Sequence, residues 1–231
     1  MVQKSRLFCA NLFISVLVMV SSLSPVIITP LQLGSNGLYP ENWVNALPFS
    51  SNIMGAPGKI WKENGTVQIE SPSGRWSSPS GWIIQQANWT DLNNDGRPEV
   101  TLLVKRPFAP WPVDRVLPYG GYIQSHQDSE GFSSHIILIG WKGDHWGELW
   151  AGSALARPVR SFFACDVDND GRQELAVLEG SYEDKDILSA ASIAIWKWNS
   201  FGFDLISRLE KPITRFIPVT TRDNKTLILT Q

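Results

Sequence analysis

The apolar residues of this chain fall in short runs broken by clusters of Asn, Asp, Gly, Pro and Ser, the pattern of β-strands joined by turns. Ile60-Trp61-Lys62, Ile139-Gly140-Trp141-Lys142 and Ile195-Trp196-Lys197 read as three copies of one strand end. A turn follows each copy, at Glu63-Asn64-Gly65, Gly143-Asp144 and Asn199-Ser200, and Asn-Gly and Gly-Asp pairs are strong hairpin signals. The returning strands are Thr66 to Glu70, Trp146 to Trp150 and Phe203 to Ser207. Val100 to Val104, Ile136 to Ile139 and Leu175 to Leu178 are apolar almost without interruption. Such runs predict strands buried on both faces, as between stacked sheets. No long amphipathic helix is legible, so the expected class is all-β, built from antiparallel four-stranded units.

Between two of the predicted strands lies Asp166-Val167-Asp168-Asn169-Asp170-Gly171-Arg172-Gln173-Glu174. Its twin upstream is Asp91-Leu92-Asn93-Asn94-Asp95-Gly96-Arg97-Pro98-Glu99. A loop curled round one ion presents every second residue to it. Those residues are Asp91, Asn93, Asp95, the Arg97 carbonyl and Glu99 in one loop, and Asp166, Asp168, Asp170, the Arg172 carbonyl and Glu174 in the other. All offer oxygen, the ligand that Ca²⁺ takes. Gly96 and Gly171 stand where the chain must turn sharply, and positive φ is expected there. The first six positions also fit an EF-hand, but that loop needs a bidentate Glu at its twelfth position, where this chain has Leu102 and Val177. With four carboxylates against three, the Asp166 loop is expected to bind calcium more tightly than the Asp91 loop.

These loops and the strands after them, Asp91 to Val104 and Asp166 to Gly180, resemble the FG-GAP and VCBS repeats, the calcium-bearing blades of integrin-α-type β-propellers. Gly55-Ala56-Pro57 resembles the Gly-Ala-Pro piece of the same family. The resemblance implies blade-like sheets and bound calcium, but no single activity. Each round would run strand, calcium loop, strand, connection, hairpin. The chain shows two full rounds and a worn third, Ile213 to Gln231, with strands at Phe216 to Thr220 and Thr226 to Thr230. Closed propellers need about 4–8 blades, so the expectation is a partial or small propeller-like array that does not close.

Composition narrows the rest. A net charge of −2 argues against a nucleic-acid partner, which a basic patch would signal. Lys4 and Arg6 precede an apolar run from Leu7 to Val20, so residues 1–34 read as a signal peptide or membrane anchor. The globular part is then expected outside the cytoplasm, secreted or attached to a membrane. Residues 35–58 read as a linker or irregular edge, and residues 59–231 as the β domain. Cys9 falls in the leader and Cys165 beside a predicted ligand, with its side chain on the opposite face from Asp166; a buried structural thiol is expected. The insertion from Arg106 to Gly131 carries Pro107, Pro110, Trp111, Pro112 and Pro118, and long loops of this kind are often binding surfaces.

No serine elbow, phosphate loop or zinc spacing of His126, His135 and His145 is present. The leading expectation is an exported, non-catalytic, calcium-binding module for protein binding or scaffolding. One alternative is carbohydrate binding through exposed tryptophans, of which the chain has eleven. Trp61, Trp141 and Trp196 recur at matching places, which favours packing between sheets. A glycan-active enzyme using a carboxylate pair drawn from residues such as Glu130 and Glu183 is the remaining alternative.

Overall fold

Asn64 and Gly65 take positive φ, 49° and 82°, the backbone of a two-residue hairpin turn. Strand pairing resumes at once, with Glu63 opposite Thr66. The computed structural model describes residues 29–34, 37–40, 46–48, 58–109, 125–184, 190–221 and 226–230. Its strands are β1 (Thr29–Gly34), β2 (Gly37–Pro40), β3 (Ala46–Pro48), β4 (Lys59–Glu63), β5 (Thr66–Ser71), β6 (Gly74–Ser77), β7 (Ile83–Thr90) and β8 (Glu99–Pro107). They continue with β9 (Phe132–Trp141), β10 (Trp146–Ala151), β11 (Val159–Cys165), β12 (Glu174–Glu179), β13 (Ala190–Trp198), β14 (Phe203–Ile213), β15 (Phe216–Thr221) and β16 (Thr226–Thr230). The fold is all-β and antiparallel, and the described residues include no helix.

Four sheets form, in the orders β4-β5-β6, β7-β8-β9-β10, β11-β12-β13-β14 and β2-β1-β16-β15-β3. The second and third are the two full rounds, each a four-stranded meander with its acidic loop between the first two strands. The worn third round has β15 and β16 where expected, but it does not stand alone. Thr29 pairs with Thr230, and Thr220 with Leu47, so β1, β2 and β3 complete a fourth sheet. The expectation of three rounds is corrected on this point. Residues 29–34, counted with the leader, form an interior strand, while β2 and β3, from the predicted linker or irregular edge, form the two outer strands. Pro30, Pro40 and Pro48 obscure strand character locally, and pairing between distant parts of the chain leaves no local trace. No closed barrel or propeller is found among the described residues. The remainder of the leader, with Cys9, and the centre of the proline-rich insertion, with Trp111, lie outside them.

Period-two alternation places the cores. On β8, Leu102 and Val104 face the first sheet and pack with Val67 and Ile69, while Leu103 faces the third sheet and packs with Phe162 and Val177. On β12, Val177 faces that same core, and Ala176 and Leu178 turn to the other side against Phe216 and Ile228. Three apolar cores thus separate four successive sheets. Every residue from Val100 to Val104 and from Leu175 to Leu178 is buried, as the unbroken apolar runs predict. Tryptophans fill the margins in edge-on pairs, Trp89 with Trp146 at 5.8 Å and Trp150 with Trp198 at 5.7 Å between ring centroids. Trp61 departs from the expected packing: it is exposed on the outer sheet, where its indole N–H reaches Glu63.

His135 is buried on β9 as a neutral imidazole. Nδ1 donates to the Gly152 carbonyl at 3.0 Å, the shorter of its two contacts, with Arg106 Nη2 at 3.3 Å from the same nitrogen, and Nε2 accepts from the Ser133 hydroxyl at 2.6 Å. Burial, followed by the nearby Arg106 guanidinium, pushes its pKa down to about 4. Between about pH 6.5 and pH 4 the unfolded chain takes up a proton that the folded chain refuses, so stability falls as pH falls through that window. The loss attributable to this residue is on the order of 3 kcal/mol. Urea denaturation at about pH 7 and about pH 4.5, on the wild type and on His135→Gln, measures it. The variant is expected to lose less stability on acidification, and an equal loss would remove His135 from the acid response.

Candidate metal centre

Each acidic loop closes the hairpin between the first two strands of a full round, β7 to β8 and β11 to β12. The two loops agree in the hydrogen bonds that their backbone N–H groups donate to side chains of the same loop. The backbone N–H of Asp95 donates to Asp91 Oδ1 and to Asn93 Oδ1, both at 3.1 Å; Asp170 N–H donates to Asp166 Oδ1 and Asp168 Oδ1, again both at 3.1 Å. Gly96 N–H reaches Asp91 Oδ2 at 3.2 Å, and Gly171 N–H reaches Asp166 Oδ2 at 2.9 Å. Arg97 and Arg172 N–H donate to Asp95 and Asp170 Oδ1 at 2.8 and 2.9 Å. Gly96 and Gly171 have φ of 77° and 85°, as expected, and Asn94 and Asn169 also lie in the left-handed region, at 57° and 61°.

Asp91 and Asp166 thus spend both carboxylate oxygens on backbone N–H groups of their own loops, and Asp95 Oδ2 accepts from Asn93 Nδ2 at 3.3 Å. The terminal glutamates differ, each with one oxygen that accepts no hydrogen bond. Glu99 is fully buried; Oε1 accepts from Leu92 N–H at 2.7 Å and from Thr90 Oγ1 at 2.9 Å, while Oε2 has no hydrogen-bond partner. Glu174 is equally buried; Oε2 accepts from Val167 N–H at 2.9 Å, and Oε1, which accepts no hydrogen bond, is ion-paired with the Lys197 ammonium at 3.2 Å. A buried carboxylate oxygen without a partner is costly, and it calls for a proton or a cation. Burial raises both glutamate pKa values, that of Glu99 to about 7. Ligand oxygens of Asp166, Asp168 and Glu174 lie within 4.8 Å of one another, a buried-to-exposed acidic cluster that could hold a metal ion.

Of the expected ligand residues, Asp166, Asp168 and Glu174 are brought together as an acidic cluster, whereas Asp170 lies outside that cluster and the Asp91, Asp95 and Glu99 carboxylates form no such group among the described residues. Arg97 and Arg172 have exposed side chains, which suits residues expected to contribute through their carbonyls. Cys165 is buried away from the loop in the outermost core, and burial pushes its thiol up to about 12, so it stays a thiol.

Two further residues belong to the site. Gln173 joins the loops: its Oε1 accepts from Asp91 N–H at 2.8 Å, and its N–H donates to Asn94 Oδ1 at 3.2 Å. Lys197, on β13, places Nζ 2.8 Å from Asp168 Oδ2, 2.7 Å from Asp170 Oδ2 and 3.2 Å from Glu174 Oε1. Its hydrogen bonds to those aspartates hold its pKa well above the ordinary lysine range. The Ile-Trp-Lys motif had marked Lys197 as a strand end, but no local feature tied it to the loop.

No protein-family model matches the chain, and no curated protein or solved structure matches it.

Proposed function

We propose that this protein is a calcium-stabilised, non-catalytic β-repeat module, exported from the cytoplasm, that serves protein binding or scaffolding. The observation that carries the proposal is the duplicated loop, in which five oxygen-bearing positions repeat and the last is a buried glutamate, with Glu99 Oε2 left without a partner and Glu174 Oε1 facing the Lys197 ammonium. Calcium supplies a charge that would balance three or four carboxylates, and it accepts the oxygen-rich, irregular ligand set that the loops offer. The face-to-face sheets with their loops at one hairpin are taken as blades of a small, propeller-like array of the FG-GAP and VCBS kind. The basic start and apolar run of the leader support export, and weak calcium sites suit an extracellular module, where dissociation constants sit near 10⁻⁴–10⁻³ M, roughly.

A protein partner is favoured over a glycan by the surface. Most described tryptophans are packed in or against the cores, whereas Phe201, Leu205 and Ile206 are exposed on the β13–β14 hairpin. Calorimetric titration of calcium into Asp95→Ala and Asp168→Ala variants tests the metal assignment. Each variant is expected to lose uptake at its own loop and to keep it at the other. Unchanged uptake in both would remove the loops as the sites.

A further inference from the structure

The inference here rests on the calcium reading of the two loops and concerns how they differ. Their backbone N–H bonds match, so the difference lies in the side chains and in what faces the loops. On the neighbouring strand, Val100 pairs with Ile139 and Leu175 with Trp196. Val100 and Leu175 follow the two buried glutamates directly. The next positions out on the partner strands are therefore Gly140 and Lys197, and these, not Lys142 and Lys197, are the matched pair. The hairpins agree with this frame, since Trp141 pairs with Trp146 and Trp198 with Phe203. Lys142 is spent elsewhere, donating to the Glu148 carbonyl at 3.3 Å.

Gly140 has no side chain to send toward the Asp91 loop, and a Cβ there would lie 2.4 Å from Leu149 Cδ1 and 3.3 Å from Glu99 Cβ. Lys197 sends an ammonium group among three carboxylates of the other loop, at 2.7–3.2 Å. A calcium ion would need the same oxygens at roughly 2.3–2.6 Å. The two cations compete, because their charges repel and both would draw on the Asp168 and Glu174 carboxylates. The lysine can leave: its side chain is partly exposed, and its flexible stem lets the head swing into solvent.

We propose that Lys197 is the resident counter-ion of the Asp166 loop, so that calcium enters that loop only by displacing it, whereas the Asp91 loop takes calcium without displacing a protein cation. The carboxylate count then misranks the two sites. The Asp91 loop is the permanent structural site, and its fully buried Glu99 Oε2 has no protein partner. The Asp166 loop is an exchangeable site with two filled states, lysine-held and calcium-held. Trp196 and Trp198 flank Lys197 on β13, which gives the exchange a fluorescence signature.

Calorimetric titration with calcium chloride, on the full chain, tests this. In an Asp95→Ala background, which isolates the Asp166 loop, Lys197→Met is expected to tighten calcium binding by about tenfold or more. In an Asp168→Ala background, which isolates the Asp91 loop, the same change is expected to leave affinity unaltered. Lys197→Gln, which keeps a polar head without the charge, is measured alongside and is expected to tighten binding at the Asp166 loop in the same direction. Calcium uptake by the wild type with no tightening in either Lys197 variant would overturn the displacement proposal alone. An equal gain at both loops would overturn it too, because the effect would then be general charge. Absence of uptake in every protein would overturn the calcium reading with it.

Discussion

Calcium is expected to raise the melting temperature of this protein by about 5–10 °C for each site filled at a hundredfold excess over its dissociation constant. The size follows from two steps. A ligand that binds only the folded state stabilises it by about 2.7 kcal/mol at that excess. For a chain of this length each kcal/mol moves the midpoint by roughly 2–4 °C. The loops have reason to bind only when folded, since the oxygens are set by the strands on either side and by the hydrogen bonds from Asp95, Gly96, Asp170 and Gly171. Unfolded, the same residues are scattered carboxylates. Removing Lys197 should also make the metal-free melting point fall, because three carboxylates would lose the cation now paired with them. Scanning calorimetry with chelator and with added calcium reads the effect, and identical melting curves would show that the loops are plain turns.

Phe162→Ala is expected to destabilise the fold by about 3–5 kcal/mol. Phe162 is fully buried in the middle core, against Leu175, Val177 and Ala194 on its own sheet and Leu103, Ile136 and Leu138 on the next. Both sheets around it are covered on their far sides as well, so little can move in to fill the space. Its backbone is held too: Phe162 N–H donates to Gln86 Oε1 at 3.1 Å, and Gln86 Nε2 donates to its carbonyl at 2.7 Å. Gln86 on β7 thus behaves toward β11 as a neighbouring strand would. Phe201→Ala, at a position 88% exposed, is the control and should stay within about 0.5 kcal/mol of wild type. Urea denaturation gives both values, and a loss at Phe162 no larger than that at Phe201 would contradict the layered core.

Much of this was legible in the sequence, for reasons that differ by feature. β8, β9 and β12 announced their double burial because residues covered on both faces have no polar side to alternate with. The Asn-Gly turn and the glycines of the acidic loops announced themselves because few other residues adopt positive φ. The strands of the fourth sheet did not, since β1 owes its place to β16, nearly the whole chain away. The repeat frame read from residue identity is also off by two positions. Ile-Trp-Lys matches by identity at Trp196, but the ladder matches Trp141 to Trp198, because pairing follows hydrogen bonds and not residue names. That slip hid the contrast between Gly140 and Lys197. Gln173 escaped notice for a simpler reason: a side chain that accepts from a backbone N–H 82 positions away leaves no spacing to detect. Trp61 looked like its counterparts, but it sits on an outer sheet and is exposed.

The measurement that bears most directly on the central claim is the calcium stoichiometry of the metal-stripped full chain, read by titration calorimetry at millimolar reach. The account predicts saturable uptake of one calcium ion by each loop, with the first equivalent lost in Asp95→Ala. A flat titration, with no heat beyond dilution and no calcium retained on the protein, would contradict it.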